Sequence, residues 1–191
     1  MSKELRRAEI IEGTAAYILK RGLGALSLRP LAAELGTSDR MLLHYFSGKD
    51  ELVDAALGRC MTDMLGLIKA AVGARRFGLA ELLAAAPALA RNPGIRPYLR
   101  LWLELASTRG SYPEGSARRL ESLAADFKAW IESILEGDGE RAGMAAAAFA
   151  VIEGYAVLEA LGQGGLADEA ASYLSGELGR RVASSPRRIG R

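Results

Sequence analysis

Residues 27–45 constrain this chain more than any other stretch. Ser27 is a good N-cap, and Leu28, Leu31, Ala32 and Leu35 follow it at helical spacing, with Pro30 tolerated in the first turn, where a missing amide costs nothing. Gly36 permits a left-handed backbone turn, and Ser38 caps another short helix over 39–45 whose Leu42 points back toward the core. A longer helix over 5–21 precedes the pair, with Ile10, Thr14, Tyr17 and Ile18 recurring at helical spacing and Gly22 placed to end it. Three helices in this order make the helix-turn-helix pattern, whose last helix lies in the major groove of DNA. Short capped helices joined by glycine also occur in helical proteins that never meet DNA, so spacing alone leaves both readings open.

The rest of the chain reads as helix too. Half of its residues are apolar, with much Ala and Leu and little β-branching, a mixture that loses little rotamer freedom in helices. Ser47 and Asp50 resemble a capping box that opens a long fourth helix carrying Leu52, Val53, Ala56, Leu57, Met61, Met64, Leu65 and Ile68. Further helices are expected near 78–91, 95–109, 113–136, 139–162 and 166–183, divided by Gly, Pro and Asn. Pro87 should kink or shorten the first of these, and residues 92–94 make a turn. The expected fold is all-α: a helix-turn-helix domain over 1–48, a helical domain over 49–183, and a flexible basic tail over 184–191.

Charge and cysteine content narrow the function. Net charge is +2, and residues 1–50 alone carry eight basic against six acidic groups, while residues 180–191 hold five arginines and no acid. That polarity suits phosphate contacts near the N-terminus without establishing them. A single cysteine, Cys60, excludes an internal disulfide, and the first residues lack the apolar run of a signal peptide, so a cytoplasmic location is expected. The longest apolar run, residues 144–152, falls short of the ~20 residues of a spanning helix, so no membrane segment is expected. One histidine, one cysteine, no Gly-rich phosphate loop and no metal-ligand spacing argue against catalysis, and neither cofactor nor metal is expected.

From Ile10 to Leu52 the chain resembles the TetR family, most closely in RGLGALSLRPLAAELGTSDRMLLHYFSGKDEL, where Gly22, Ser27, Leu31, Ala32, Gly36, Ser38, Leu42, Tyr45, Phe46, Lys49 and Leu52 fall in register. Leu31, Leu35, Leu42 and Phe46 are read as the packing that locks the helices. Arg29 and Arg40 are the candidate base readers, since an arginine fork pairs with guanine O6 and N7 and discriminates by ~1 to 3 kcal/mol. Arg29 stands where the family often uses a basic contact, whereas Arg40 stands where many members have a small residue. The resemblance implies phosphate contacts from Ser27, Ser38, Tyr45 and Lys49, with Asp39 and His44 on the same surface. Met41 and Leu43 depart from the family's usual Thr and Tyr, and Leu43 suits a thymine methyl instead.

The same resemblance implies a homodimer on a palindromic double-stranded operator, with a small-molecule effector that releases it by moving the fourth helix. Expected dimer residues are Met144, Ala148, Val151, Tyr155 and Leu158 on the eighth helix and Leu166, Ala170, Tyr173 and Leu174 on the ninth. Met64, Tyr98, Trp102, Phe127 and Trp130 are the candidate pocket residues, although an aromatic stripe is more often plain core. Glu104 and Asp126 receive no role. An activator, a regulator controlled by a protein partner, and a non-DNA-binding carrier or enzyme are the alternatives.

Overall fold

The computed structural model describes residues 2–107, 114–137 and 140–184, with the side chains of 114–120 and 181–184 outside the description. Of the expected tail over 184–191, Ser184 ends the last helix and residues 185–191 lie outside the described residues. Nine helices run through the described residues: α1 Lys3–Arg21, α2 Leu28–Glu34, α3 Asp39–Tyr45, α4 Lys49–Val72, α5 Leu79–Ala90, α6 Arg96–Ser107, α7 Glu114–Ile134, α8 Arg141–Ala160 and α9 Gly164–Ser184. The expected all-α class is what the chain adopts; the one strand-like feature among these residues is an isolated bridge between Phe77 and Leu135. Among the described residues two compact units form, one within Met1–Ile68 and Pro93–Ala124, the other within Lys69–Asn92 and Ala125–Arg191. Their division is not the sequence boundary at 48/49, because most of α4 and all of α6 fall with the first three helices.

The first unit is built on an apolar centre that the helical spacing foretells. Ile10, Tyr17 and Ile18 of α1, Leu31 of α2, Leu42 of α3 and Leu52, Ala56 and Leu57 of α4 are all buried, and each large side chain among them contributes ~1.5 to 3 kcal/mol of transfer free energy. Thr14, a buried hydroxyl in this centre, donates to the Ile10 carbonyl at 2.7 Å and so is satisfied within its own helix. Cys60 is wholly buried and its thiol is pushed up to about 12, chiefly by burial, which leaves it a small apolar side chain rather than a nucleophile. Gly13 faces Leu35: a Cβ there would run into the Leu35 side chain, so glycine permits the close approach.

The capping expected at the start of α4 is shifted by one residue. Glu51, not Asp50, reaches back to Ser47, accepting its N–H at 2.6 Å and an Arg7 guanidinium N–H at 2.7 Å. Arg7 also lies over the Phe46 ring, 4.6 Å from its centroid.

In the second unit α5 packs between α8 and α9, with Ala86, Tyr155, Ala167 and Ala171 at the centre and Val151, Ile152, Leu158 and Ala170 around them. Pro87 lies inside α5, and the helix continues past it to Ala90. Arg91, just beyond, reaches Glu159 of α8 at 2.6 Å and Asp168 of α9, joining three helices through one guanidinium. The end of α7 is fastened by Phe77, whose N–H donates to the Ile134 carbonyl and whose carbonyl accepts from Glu136.

Helix α8 is more apolar than the run over 144–152 suggests. It is the one helix among the described residues long and apolar enough, by length and composition, to cross a membrane. Its packing on α5 and α9 accounts for part of that composition; 22% of the apolar window is buried within the protomer.

Candidate nucleic-acid interface

The turn between α2 and α3 is set by backbone chemistry that the sequence announces. The Thr37 N–H donates to the Ala32 carbonyl at 2.9 Å and the Gly36 N–H to the Ala33 carbonyl at 3.3 Å, a Schellman pair that closes α2 with Gly36 at φ +61°. Ser38 then caps α3, its hydroxyl accepting from the Met41 N–H at 3.2 Å. Ser27 occupies the N-cap of α2 in extended conformation but makes no side-chain cap bond, so the cap role expected of its hydroxyl is not filled. Asp39 accepts the Arg40 N–H at 2.9 Å.

Leu31, Ala32, Leu42 and Phe46 are turned inward, and the opposite side of the two helices faces out. Ser27, Arg29, Ser38, Asp39, Arg40, Leu43, His44 and Lys49 are exposed, and Tyr45 is half-buried with its ring edge-on to His44 at 5.1 Å between centroids. Leu35 is half-buried rather than part of the sealed centre. Met41 is exposed beside Leu43, two large apolar side chains kept in water on a helix only seven residues long.

The pairing of the cations separates structural ones from free ones. Arg6 binds Glu9, Arg7 binds Glu51, and Lys20 and Arg21 both bind Glu34. Arg29, Arg40 and Lys49 make no ion pair among the described residues, and neither does Lys3 at the start of α1, which sequence reasoning missed. Two of the acids nearby, Glu34 and Glu51, are held in ion pairs. The Glu34 carboxyl sits below the ordinary range because Lys20 and Arg21 bond it, and Glu51 is held down to about 2 by the Ser47 amide first and Arg7 after it. No group of three His, Cys, Asp or Glu able to hold an ion occurs among the described residues.

Met64 is buried in the first unit, where Tyr98 and Trp102 of α6 are half-buried; Phe127, buried in the second unit, meets Trp130 at 5.4 Å and Phe149 at 5.5 Å between ring centroids. Tyr98 is shifted upward mainly by burial, with Asp63 adding to it. Of the expected dimer residues, Ala148 and Tyr155 are sealed inside the protomer, so they have almost no area left for a second subunit. Met144, Val151, Leu158, Ala170 and Leu174 are half-buried, and Leu166 and Tyr173 are 51% and 67% exposed. The face of α8 that stays uncovered is a different one, Gly143, Ala147, Ala150, Gly154, Val157 and, just past the helix, Leu161. Sequence spacing did not pick it out, because the helix is apolar on every side.

An all-helical chain with a capped N-terminal helix pair and free cations on its outer face is a helix-turn-helix protein. Residues 10–56 match the family model of bacterial regulatory proteins of the tetR family. The chain is 35% identical over 77 residues to the HTH-type transcriptional regulator BetI 2 of Chromohalobacter salexigens, covering 40% of this chain and 35% of that one. It is 29% identical over 125 residues to the HTH-type transcriptional regulator BetI of Paraburkholderia phymatum, covering 63% and 62%. These matches thus span from about a third to just under two thirds of the relatives' length. A TetR transcription regulator from Haloarcula marismortui has the same fold, with a TM-score of 0.69 at 18% identity over 91% of this chain and 98% of that one. The N-terminal segment over residues 10–56 is that of the tetR family, the whole chain shares the fold of the Haloarcula protein, and these relatives are regulators rather than enzymes.

Proposed function

We propose that this protein is a DNA-binding transcriptional regulator, a cytoplasmic homodimeric repressor that a small-molecule effector releases from a palindromic operator. Residues 1–48 read the DNA, and residues 49–183 dimerise and take the effector. One observation carries the DNA reading: in a segment whose other arginines are bound to carboxylates, Arg29 and Arg40 stand exposed and unpaired on the two motif helices, with Lys49 beside them. Arg29 and Arg40 read bases; Ser27, Ser38, Tyr45 and Lys49 hold phosphates; Asp39, Leu43 and His44 lie along the groove. Ser27, whose hydroxyl is not engaged in a cap, is the better phosphate donor of the two serines.

Dimerisation is supported by the uncovered side of α8. A Cβ at Gly143 or Gly154 meets nothing within 4 Å in the protomer, so no packing inside the chain accounts for glycine in these helical positions, where it costs ~1 kcal/mol against alanine. Close approach of a second helix does account for it. Leu161 and Val157 continue the stripe, and Leu166 and Tyr173 present apolar area on α9. Two subunits related by a two-fold axis place two recognition helices on two half-sites. The release step rests on the family resemblance.

Selection of the purified protein from random duplex DNA tests the reading. Enrichment of an inverted repeat with half-sites ~10 base pairs apart, or a multiple of that, is expected. A folded dimer that enriches no sequence contradicts it.

A further inference from the structure

Glu104, to which the sequence assigns no role, is bonded to the chain that leads into the helix pair. Both of its carboxylate oxygens are used: one accepts the Leu23 N–H at 3.1 Å and the other the Gly24 N–H at 2.9 Å. One turn earlier on α6, Arg100 donates to the Leu19 carbonyl at 2.6 Å. These backbone groups are the ones helix geometry leaves without partners. Leu19 lies in the last turn of α1, whose carbonyls have no intrahelical donor, and Leu23 and Gly24 belong to the connector into α2. Apart from α6, the connector's own backbone bonds are Gly22 N–H to Ile18 and Leu26 N–H to Leu23. Charge-assisted bonds to a carboxylate are shorter and stronger than neutral ones, and a two-point carboxylate clamp fixes direction as well as distance.

Helix geometry makes α6 two-sided. At 3.6 residues per turn, Arg100 and Glu104 lie on one face, and Tyr98 and Trp102 lie on roughly the opposite one. Tyr98 and Trp102 are half-buried, and the bonds of Arg100 and Glu104 to the connector leave that second face of α6 uninvolved.

We propose that Glu104, seconded by Arg100, is a positioning residue for DNA recognition: it holds the α1–α2 connector and so sets how α2 and α3 are presented on α1. The position of α6 thereby becomes a quantity that operator affinity reports. The inference rests on the DNA-binding reading given above.

The test uses the full-length protein as wild type, Glu104→Ala, Glu104→Gln and Arg100→Ala. Amide hydrogen exchange is followed across residues 22–26. Affinity is measured at one salt concentration for a duplex enriched from a random library and for a scrambled duplex of equal length. Glu104→Ala is expected to speed exchange at Leu23 and Gly24 while the interior of α1 stays protected. It is also expected to lower the enriched-to-scrambled affinity ratio by roughly 5- to 150-fold. Glu104→Gln keeps one accepting oxygen and falls between. Arg100→Ala moves both readouts in the same direction by less. A residue that only stabilises the fold lowers the thermal midpoint and leaves the ratio in folded protein unchanged, so an unchanged ratio, or unchanged exchange at Leu23 and Gly24, overturns the proposal. Should Glu104→Ala not fold, Glu104→Gln carries both measurements. If the wild type enriches no duplex, the DNA-binding reading fails and the positioning role falls with it, while the exchange data still report whether the clamp exists.

Discussion

Gly36 separates backbone strain from side-chain crowding. Its φ of +61° lies in the left-handed region, and a Cβ there meets nothing within 4 Å. Gly36→Ala is therefore expected to destabilise the protein by ~1 to 2 kcal/mol through conformation alone, and Gly36→Asn by less, as read from urea unfolding midpoints at constant slope. No loss in Gly36→Ala means the turn relaxes. This glycine was legible from its place between two apolar stripes. The availability of Arg29 and Arg40 was not, because what removes a cation from the surface is a partner far along the chain: Arg7 finds Glu51 44 residues away and Arg21 finds Glu34 13 away. Ser27 and Ser38 read alike in the sequence, yet one hydroxyl caps a helix and the other makes no cap bond.

Among the elements, α4 carries a pH signature at its first turn. Glu51 is held at about 2 in the folded protein against an ordinary value of 4.5, so its contribution is fully present above 4.5 and is lost as pH falls toward 2. Glu51→Gln is expected to flatten the loss of stability between pH 4.5 and 2 and to leave behaviour below 2 unchanged; an acid limb that keeps its slope contradicts the assignment. The start of α4 was readable to within one residue: Asp50 stands at the third position after Ser47, as a capping box requires, but it is Glu51, one residue on, that accepts the Ser47 N–H and the Arg7 guanidinium. Helix α8 shows the reverse case. Its length and apolar character stand in the sequence, but a helix apolar all round carries no phase, and its covered side is chosen by α5 and α9, which present Ala86, Ala167 and Ala171 to Tyr155. The hydroxyl of Tyr155 is buried there without a hydrogen-bond partner among the described residues, and burial pushes its acidity down.

For the whole molecule, assembly and DNA recognition stand or fall on different surfaces and are tested apart. Gly154→Leu is expected to convert dimers into monomers in sedimentation equilibrium while helix content is retained, because the added side chain enters open space in the protomer and glycine is the poorer helix former. Gly154→Ala, one methyl larger, weakens assembly less. A dimer that survives Gly154→Leu places the interface elsewhere. Fold class and helix order were readable throughout, whereas the grouping of α4 and α6 with the N-terminal helices was not, since it depends on bonds such as those of Glu104 with Leu23 and Gly24, separated by 81 and 80 residues.

Whether the free cations of α2, α3 and the start of α4 read DNA is decided by affinity for the enriched duplex and its single-base variants across a salt series, with wild type, Arg40→Ala and Lys49→Ala. Arg40→Ala is expected to cost ~1 to 3 kcal/mol and to relax discrimination at one base pair per half-site. Lys49→Ala is expected to weaken all sequences alike and to reduce the salt slope by about 1 for each phosphate that the lysine no longer neutralises. Equal affinity of wild type and both variants for every duplex, with no dependence on salt, means that these cations do not read DNA.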